Sequence, residues 1–158
     1  MSKLNPLLQQ IDSELHRYLA FDDTKKVQEH LAQVAPAAAK HIVSKISITE
    51  LDVLQAISCA SSLRIKELVT TTYFPQGTVS KIVNRLVKKK LVKKYHQPNN
   101  KKDVYLKLTE HGCLVADLHE QYHTQKNQQL NQLGATFNNT DLIRLAQILH
   151  EINELREK

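Results

Sequence analysis

The strongest pattern along the chain is an apolar stripe at helical spacing. Val79, Ile82, Val83, Leu86 and Val87 recur at i, i+3, i+4, i+7 and i+8, so one side of a helix faces a core. Thr78, Lys81, Asn84, Arg85 and Lys88 fall on the opposite side, which is polar or cationic throughout. Immediately after it, Leu91 to His96 reads as a strand, Gln97 to Lys102 as a turn rich in breakers, and Val104 to Leu108 as a second, alternating strand. Upstream, Thr49 is the expected N-cap of a helix, with Asp52 in the capping-box position and Leu51, Val53, Leu54 and Ile57 inward. A short helix carrying Ile65, Leu68 and Val69 follows, and Tyr73-Phe74-Pro75 breaks it. Helix, helix, helix and hairpin, in that order, predict a winged helix-turn-helix.

Helices flank this unit on both sides. Leu4, Leu7, Leu8, Ile11, Leu15, Tyr18 and Leu19 form an N-terminal stripe. A second helix is expected after Asp23-Thr24, and Pro36 interrupts it before Ala37 to Val43. Thr109 caps a long helix with Leu114, Val115, Leu118 and Tyr122 on one side, extended by the polar stretch Gln125 to Gln132. A last helix starts near Phe137, which is expected to staple onto Leu142, and carries Leu142, Leu145, Ile148, Leu149, Ile152 and Leu155. The expected fold is mainly α with a small β-hairpin wing: a winged region at 48–109 between helical regions at 1–47 and 110–158. The terminal stripes would leave apolar surface in water unless they pack on something, which argues for self-association.

Composition narrows the function. The length, 158 residues, suits one domain, and 41% hydrophobic residues suffice for a core. No apolar run approaches the ~20 residues that span a bilayer, and the segment Met1 to Asn5 lacks the apolar stretch of a signal peptide. The two cysteines, Cys59 and Cys113, make no disulfide framework and are expected as buried structural thiols. A cytoplasmic protein without a membrane partner is expected. The net charge of +6 is unevenly placed: from Lys81 to Lys107 ten basic residues face one acid, Asp103, so this window is +9 and the remainder −3. Such a block suggests a polyanion partner, with nucleic acid first and a membrane surface second.

In a winged helix-turn-helix the second helix of the turn enters the major groove and the hairpin reaches the neighbouring backbone. Here Thr78, Ser80 and Lys81 suit phosphates at the helix start, and Lys88 extends the same face. Gln76, Asn84 and Arg85 can form the paired hydrogen bonds that read base edges. Lys101 and Lys102 supply the charge at the hairpin tip.

The segment Thr49 to about His123 resembles the MarR family of dimeric bacterial transcription regulators. The resemblance rests on Ile48-Thr49-Glu50-Leu51-Asp52-Val53-Leu54, Ile65-Lys66-Glu67-Leu68, Gly77 to Leu86, and the strand-to-helix junction Leu106-Lys107-Leu108-Thr109-Glu110-His111-Gly112. It implies a homodimer with interleaved first and last helices, and two recognition helices about one DNA turn apart. It also implies a pseudo-palindromic operator, a role as repressor, and an affinity changed by an effector. Four departures stand out. Tyr73 sits where the family usually has Gly or Asn, Pro75 replaces a Ser/Thr cap, and Lys90 stands where Gly commonly ends the recognition helix. The wing's common Asp and Arg are Asn100 and Lys102, so their acid–arginine pair is lost.

His119-Glu120-Gln121-Tyr122-His123 matches the HExxH pattern of zinc proteases, in which two histidines one helical turn apart bind the metal and the Glu activates water. The match is incomplete: Gln129 stands where extended zincins have a third His, and Ile143 where others have a Glu ligand. A zinc-dependent hydrolase is therefore the alternative from another class, and no enzyme is expected. The segment also resembles the position of two metal-binding histidines in zinc-sensing MarR regulators. That resemblance implies ligands His119 and His123 with Asp52, and His41, His30 or Glu29 as a fourth. Relatives that sense other ligands carry a similar His-x-x-aromatic-His, so the pair can equally line a dimer or effector cavity. No cofactor is required, and zinc enters only as a candidate effector. A winged-helix module for protein contacts alone is disfavoured by the +9 window.

Overall fold

Residues 5–157 are described by a computed structural model, and among them the chain forms α1 (Pro6–Ala20), α2 (Thr24–Val34), α3 (Ala37–Val43), α4 (Ile48–Ser58), β1 (Leu63–Arg64), α5 (Ile65–Thr72), α6 (Gln76–Lys88), β2 (Val92–Gln97), β3 (Asn100–Leu108), α7 (Glu110–Gly134) and α8 (Asn139–Glu157). Two compact units result, Met1–His119 and Glu120–Lys158. In the first, α4, α5 and α6 pack on one another, and all three also meet the sheet. The apolar stripe of α6 accounts for this packing: Val79, Ile82, Val83 and Leu86 are buried against a core that includes Leu51, Val53, Leu54 and Leu68. Each such side chain contributes roughly 1.5–3 kcal/mol by leaving water.

The sheet is antiparallel in the order β1-β3-β2. β1 pairs Leu63 with Leu106 and Arg64 with Tyr105; β2 pairs Val92 with Leu108 and, at its far end, Gln97 with Asn100. Two residues are too few to show alternation, which is why β1 leaves no trace in the hydrophobic pattern. The hairpin turn is also tighter than its breaker residues suggest. Only Pro98 and Asn99 form it, and Asn100, Lys101 and Lys102 already belong to β3. The expected turn at Gln97 to Lys102 is corrected accordingly, and Lys101 and Lys102 are strand residues beside the tip.

The start of α4 also differs from expectation. Ser47, not Thr49, is its N-cap: Glu50 N donates to Ser47 Oγ at 3.2 Å and Ser47 N donates to Glu50 Oε2 at 2.9 Å. Thr49 and Asp52 lie inside the helix. Both Ser47/Glu50 and Thr49/Asp52 have capping spacing, but only the first uses a Glu, whose longer side chain reaches back to the cap. Pro36 does separate α2 from α3, and Thr109 does cap α7, its Oγ1 accepting from Gly112 N at 3.0 Å.

Two departures from the family pattern fall on left-handed backbone. Tyr73 has φ 58° and Lys90 φ 60°. At the end of α6, Leu91 N donates to Leu86 O and Lys90 N to Val87 O, both at 3.0 Å, the paired bonds of a Schellman motif. Lys90 therefore takes the conformation that Gly takes most easily. Gly112 is required for a different reason: a Cβ there would collide with the Leu91 carbonyl, so only Gly lets α7 start this close to the wing.

The flanking helices keep their apolar residues at the surface. No residue of α1 or α8 is buried, and Leu7, Tyr18 and Leu19 on α1 are exposed, as are Ile143 and Leu155 on α8. Leu4 lies outside the described residues. Phe137 is also exposed, and Asn138 Oδ1 caps α8 by accepting from Asp141 N at 2.8 Å. Cys59 and Cys113 are exposed, contrary to expectation, because each sits on the outer side of a helix end rather than on its core stripe.

These positions give substitutions of opposite sign. Lys90→Gly relieves a left-handed side chain worth about 1–2 kcal/mol and adds unfolded-chain freedom worth about 0.4–1 kcal/mol, so a net gain of about 0.5–1 kcal/mol is expected. Gly112→Ala overpacks the junction and should cost about 1–3 kcal/mol. Urea unfolding midpoints of the two variants against the parent chain check both signs.

Candidate nucleic-acid interface

The exposed side of α6 gathers most of the residues expected at a binding face. Gln76, Thr78, Ser80, Lys81, Asn84, Arg85 and Lys88 are all exposed. Pro75 occupies the N-cap without a side-chain hydrogen bond, as its missing side-chain oxygen dictates. The first N–H groups of this 13-residue helix thus keep their positive end toward solvent beside Gln76 and Thr78. Tyr73, 91% exposed, stands immediately before this end in the turn between α5 and α6.

The cationic block does not all point outward. Glu50 is only 2% exposed, and its carboxylate receives two of the basic residues of α6 and its C-cap. Arg85 Nε lies 3.3 Å from Glu50 Oε1, and Lys89 Nζ donates to Glu50 Oε2 at 2.6 Å and to Lys45 O at 2.9 Å. A buried carboxylate is tolerated only when paired, so this cluster ties the start of α4 to the second half of α6. Arg85 keeps 55% of its side chain in solvent. Asn84 is engaged too, its Oδ1 accepting from Lys94 Nζ of β2 at 2.7 Å. Among the described residues, Lys81, Lys88, Lys101 and Lys102 are exposed and form no ion pair.

The wing is fixed at its base by the window's single acid. Asp103 accepts from Lys66 Nζ at 3.0 Å and from Asn100 Nδ2 at 2.9 Å, and Arg64 Nη1 lies 3.5 Å away. Asn100 Oδ1 in turn accepts from Lys102 N and Asp103 N. An amide at 100 can do both jobs, whereas a carboxylate there would face Asp103 with like charge. Arg64–Asp103 supplies an acid–arginine contact at the base of the wing and ties β3 to the start of α5. Glu67 holds Arg64 from the other side, accepting from Nη2 at 2.5 Å and from the backbone N at 2.8 Å. Glu50 and Asp103 were not legible as site-building residues. For Asp103 the available signal was that it is the one acid of a basic window, and for Glu50 it was the Ser47-x-x-Glu50 capping spacing.

His119 is buried at 2% exposure and His123 half-buried, both on α7, while Asp52 and His41 are exposed on α4 and α3. Among the described residues no group of three or more His, Cys, Asp or Glu is gathered to hold a metal.

The hydrogen bond from Asn100 and the one from Lys66 are the main causes that hold the Asp103 carboxyl down at about 2, below its ordinary 3.8. A depressed carboxyl contributes stability that is complete above the ordinary value and lost as pH falls through about 2. The wing base should therefore stay ionised at pH 3, where most surface carboxylates have begun to protonate. A carboxyl-carbon NMR titration checks this: Asp103 should titrate last among the aspartates, and Asn100→Ala should move its midpoint upward.

Comparison with known proteins agrees with this geometry. Residues 46–104, from the cap of α4 to the wing, match the sequence model of the MarR family. The transcriptional regulator PchR of Bacillus subtilis is 24% identical over 156 residues, spanning 98% of this chain and 92% of that protein. Among solved structures, the zinc-responsive MarR family member ZitR of Lactococcus lactis superposes with a TM-score of 0.70 at 21% identity, covering 94% of this chain and 97% of that one. FabT of Streptococcus pneumoniae, solved in complex with DNA, gives 0.68 at 18% identity, covering 95% and 97%. At those identities the structures speak for the fold, while the sequence match covers the helix-turn-helix and most of the wing. The winged helix-turn-helix of this chain, residues 46–104, carries the sequence pattern of the MarR family.

Proposed function

We propose that the protein is a sequence-specific, double-stranded DNA-binding transcriptional regulator. One observation carries the reading: α6 buries Val79, Ile82, Val83 and Leu86 and presents a polar and cationic face, beside a wing whose exposed Lys101 and Lys102 form no ion pair among the described residues. Gln76, Asn84 and Arg85 take base edges, Thr78, Ser80, Lys81 and Lys88 take phosphates, and Lys101 and Lys102 take the backbone beside the wing. Relatives named as transcriptional regulators support this over catalysis, and the hydrolase alternative has no support. No helix among the described residues is long and apolar enough to cross a membrane, in keeping with action on DNA in the cytoplasm.

The chain acts as a homodimer and a repressor in this reading. The exposed apolar residues of α1 and of α8 supply the subunit contact, which assigns 1–47 and 110–158 to dimerisation and 48–109 to DNA. The effector is a small molecule or a metal. Zinc is the metal candidate, since the α7 pair His119 and His123 has the right spacing and a zinc-responsive regulator shares the fold.

Fluorescence anisotropy with an operator duplex and a scrambled one, at several salt concentrations, tests the reading. Lys101→Ala should weaken both duplexes alike and flatten the salt slope by about 0.9 log units per log salt for each phosphate that is no longer neutralised. Arg85→Ala should cost roughly 1–3 kcal/mol on the operator and much less on the scrambled duplex. The same titration with zinc and then with chelator tests the metal: His119→Ala with His123→Ala should abolish any zinc-dependent change, typically ~1–3 kcal/mol of coupling. Equal affinity with zinc and chelator removes zinc as the effector.

A further inference from the structure

The two α6 side chains best suited to reading bases are each engaged by a residue of another element, Arg85 by the buried Glu50 of α4 and Asn84 by the exposed Lys94 of β2. Glu50 is anchored on three sides: its Oε2 accepts from Ser47 N and Lys89 Nζ, and its Oε1 faces Arg85 Nε at 3.3 Å. Being buried and capped, Glu50 cannot follow Arg85, so Arg85 follows Glu50. A guanidinium carries five N–H groups in one rigid plane, and with Nε nearest the Glu50 carboxylate the two terminal amino groups are left for a ligand. On the neighbouring position, the Lys94 ammonium can only donate, so it selects the oxygen of the Asn84 amide and leaves its NH2 outward.

We propose that Glu50 is a positioning residue for specificity: by holding Arg85 through Nε, with Lys94 engaging the Asn84 oxygen, it makes the 84–85 pair a donor surface that reads guanine. This inference rests on the DNA-binding reading above. Guanine offers two acceptors, O6 and N7, on its major-groove edge, which match two parallel donors from Arg. Adenine instead requires both the oxygen and the NH2 of an amide, and the Asn84 oxygen is already engaged by Lys94.

Selection from a randomised duplex library by the full-length chain, with its Glu50→Gln, Arg85→Ala and double variants, tests the proposal. Gln at the third helical position caps as Glu does, so Glu50→Gln keeps the Ser47 cap while placing either an NH2 against Arg85 or one against Lys89. The parent chain should enrich a motif with guanine at one fixed position of each half-site. Arg85→Ala should lose that guanine, and Glu50→Gln should keep the rest of the motif while its guanine-over-adenine preference falls about tenfold. In the Arg85→Ala background Glu50→Gln should change nothing further, which a purely structural role of Glu50 would not produce. An undiminished guanine preference in Glu50→Gln, or an equal loss in both backgrounds, overturns the proposal. If Glu50→Gln melts below the assay temperature, Lys94→Ala decides: it should admit adenine at the base read by Asn84, and an unchanged motif overturns the donor assignment. Failure of the parent chain to enrich any duplex overturns the DNA reading itself, and the inference with it.

Discussion

A carboxylate taken almost wholly out of water must be met by cations and donors, and Glu50 is met by Ser47, Arg85 and Lys89 together. This one requirement links three levels of the molecule. Locally it closes the capping box that starts α4. At the level of packing it fixes where α6 lies against α4, because Arg85 and Lys89 are one helical turn apart and must both reach the same group. At the surface it meets Arg85 at Nε while 55% of that side chain stays in solvent. The apolar stripe of α6 supplies burial, but hydrophobic contact has no direction of its own. The ion pair has direction, and it selects one seating.

Much of the fold was legible because its elements obey simple periods. The α6 stripe, the inward residues of α4, the Pro36 break and the Thr109 cap are all found where their spacing places them. What escaped was decided by geometry with no period. β1 is two residues long and exists only because β3 runs beside it. Ser47 and Thr49 offer rival caps, and the winner depends on a carboxylate that must also serve α6. The turn looked six residues long because Asn100, Lys101 and Lys102 resemble loop residues, yet the Asn100 side chain satisfies the backbone of β3 itself. The exposed face of α6 was read correctly as a surface. That Arg85 and Asn84 are tethered was not readable, since Glu50 and Lys94 lie 35 and 10 positions away.

The terminal helices show the limit of patterning in another way. α1 and α8 carry regular apolar residues, as any core helix would, but the chain itself does not bury them. Periodicity reports that a face wants cover; it does not report who supplies it. Exposed side chains such as Leu7, Leu19, Ile143 and Leu155 are individually ordinary, and only their recurrence along single helices makes them a surface under tension with water.

The clasp around Asp103 has a mechanical consequence. Lys66 and Arg64 secure β3 to the start of α5, so the hairpin and the helix-turn-helix are joined at their root rather than articulated. Two contact elements fixed to each other cannot adapt separately to the spacing between neighbouring grooves. A duplex gripped by both has to supply that accommodation through its own bending and groove width. Base steps that deform readily would then be favoured even where no side chain touches them, and stiff tracts of otherwise acceptable sequence would be rejected by their rigidity.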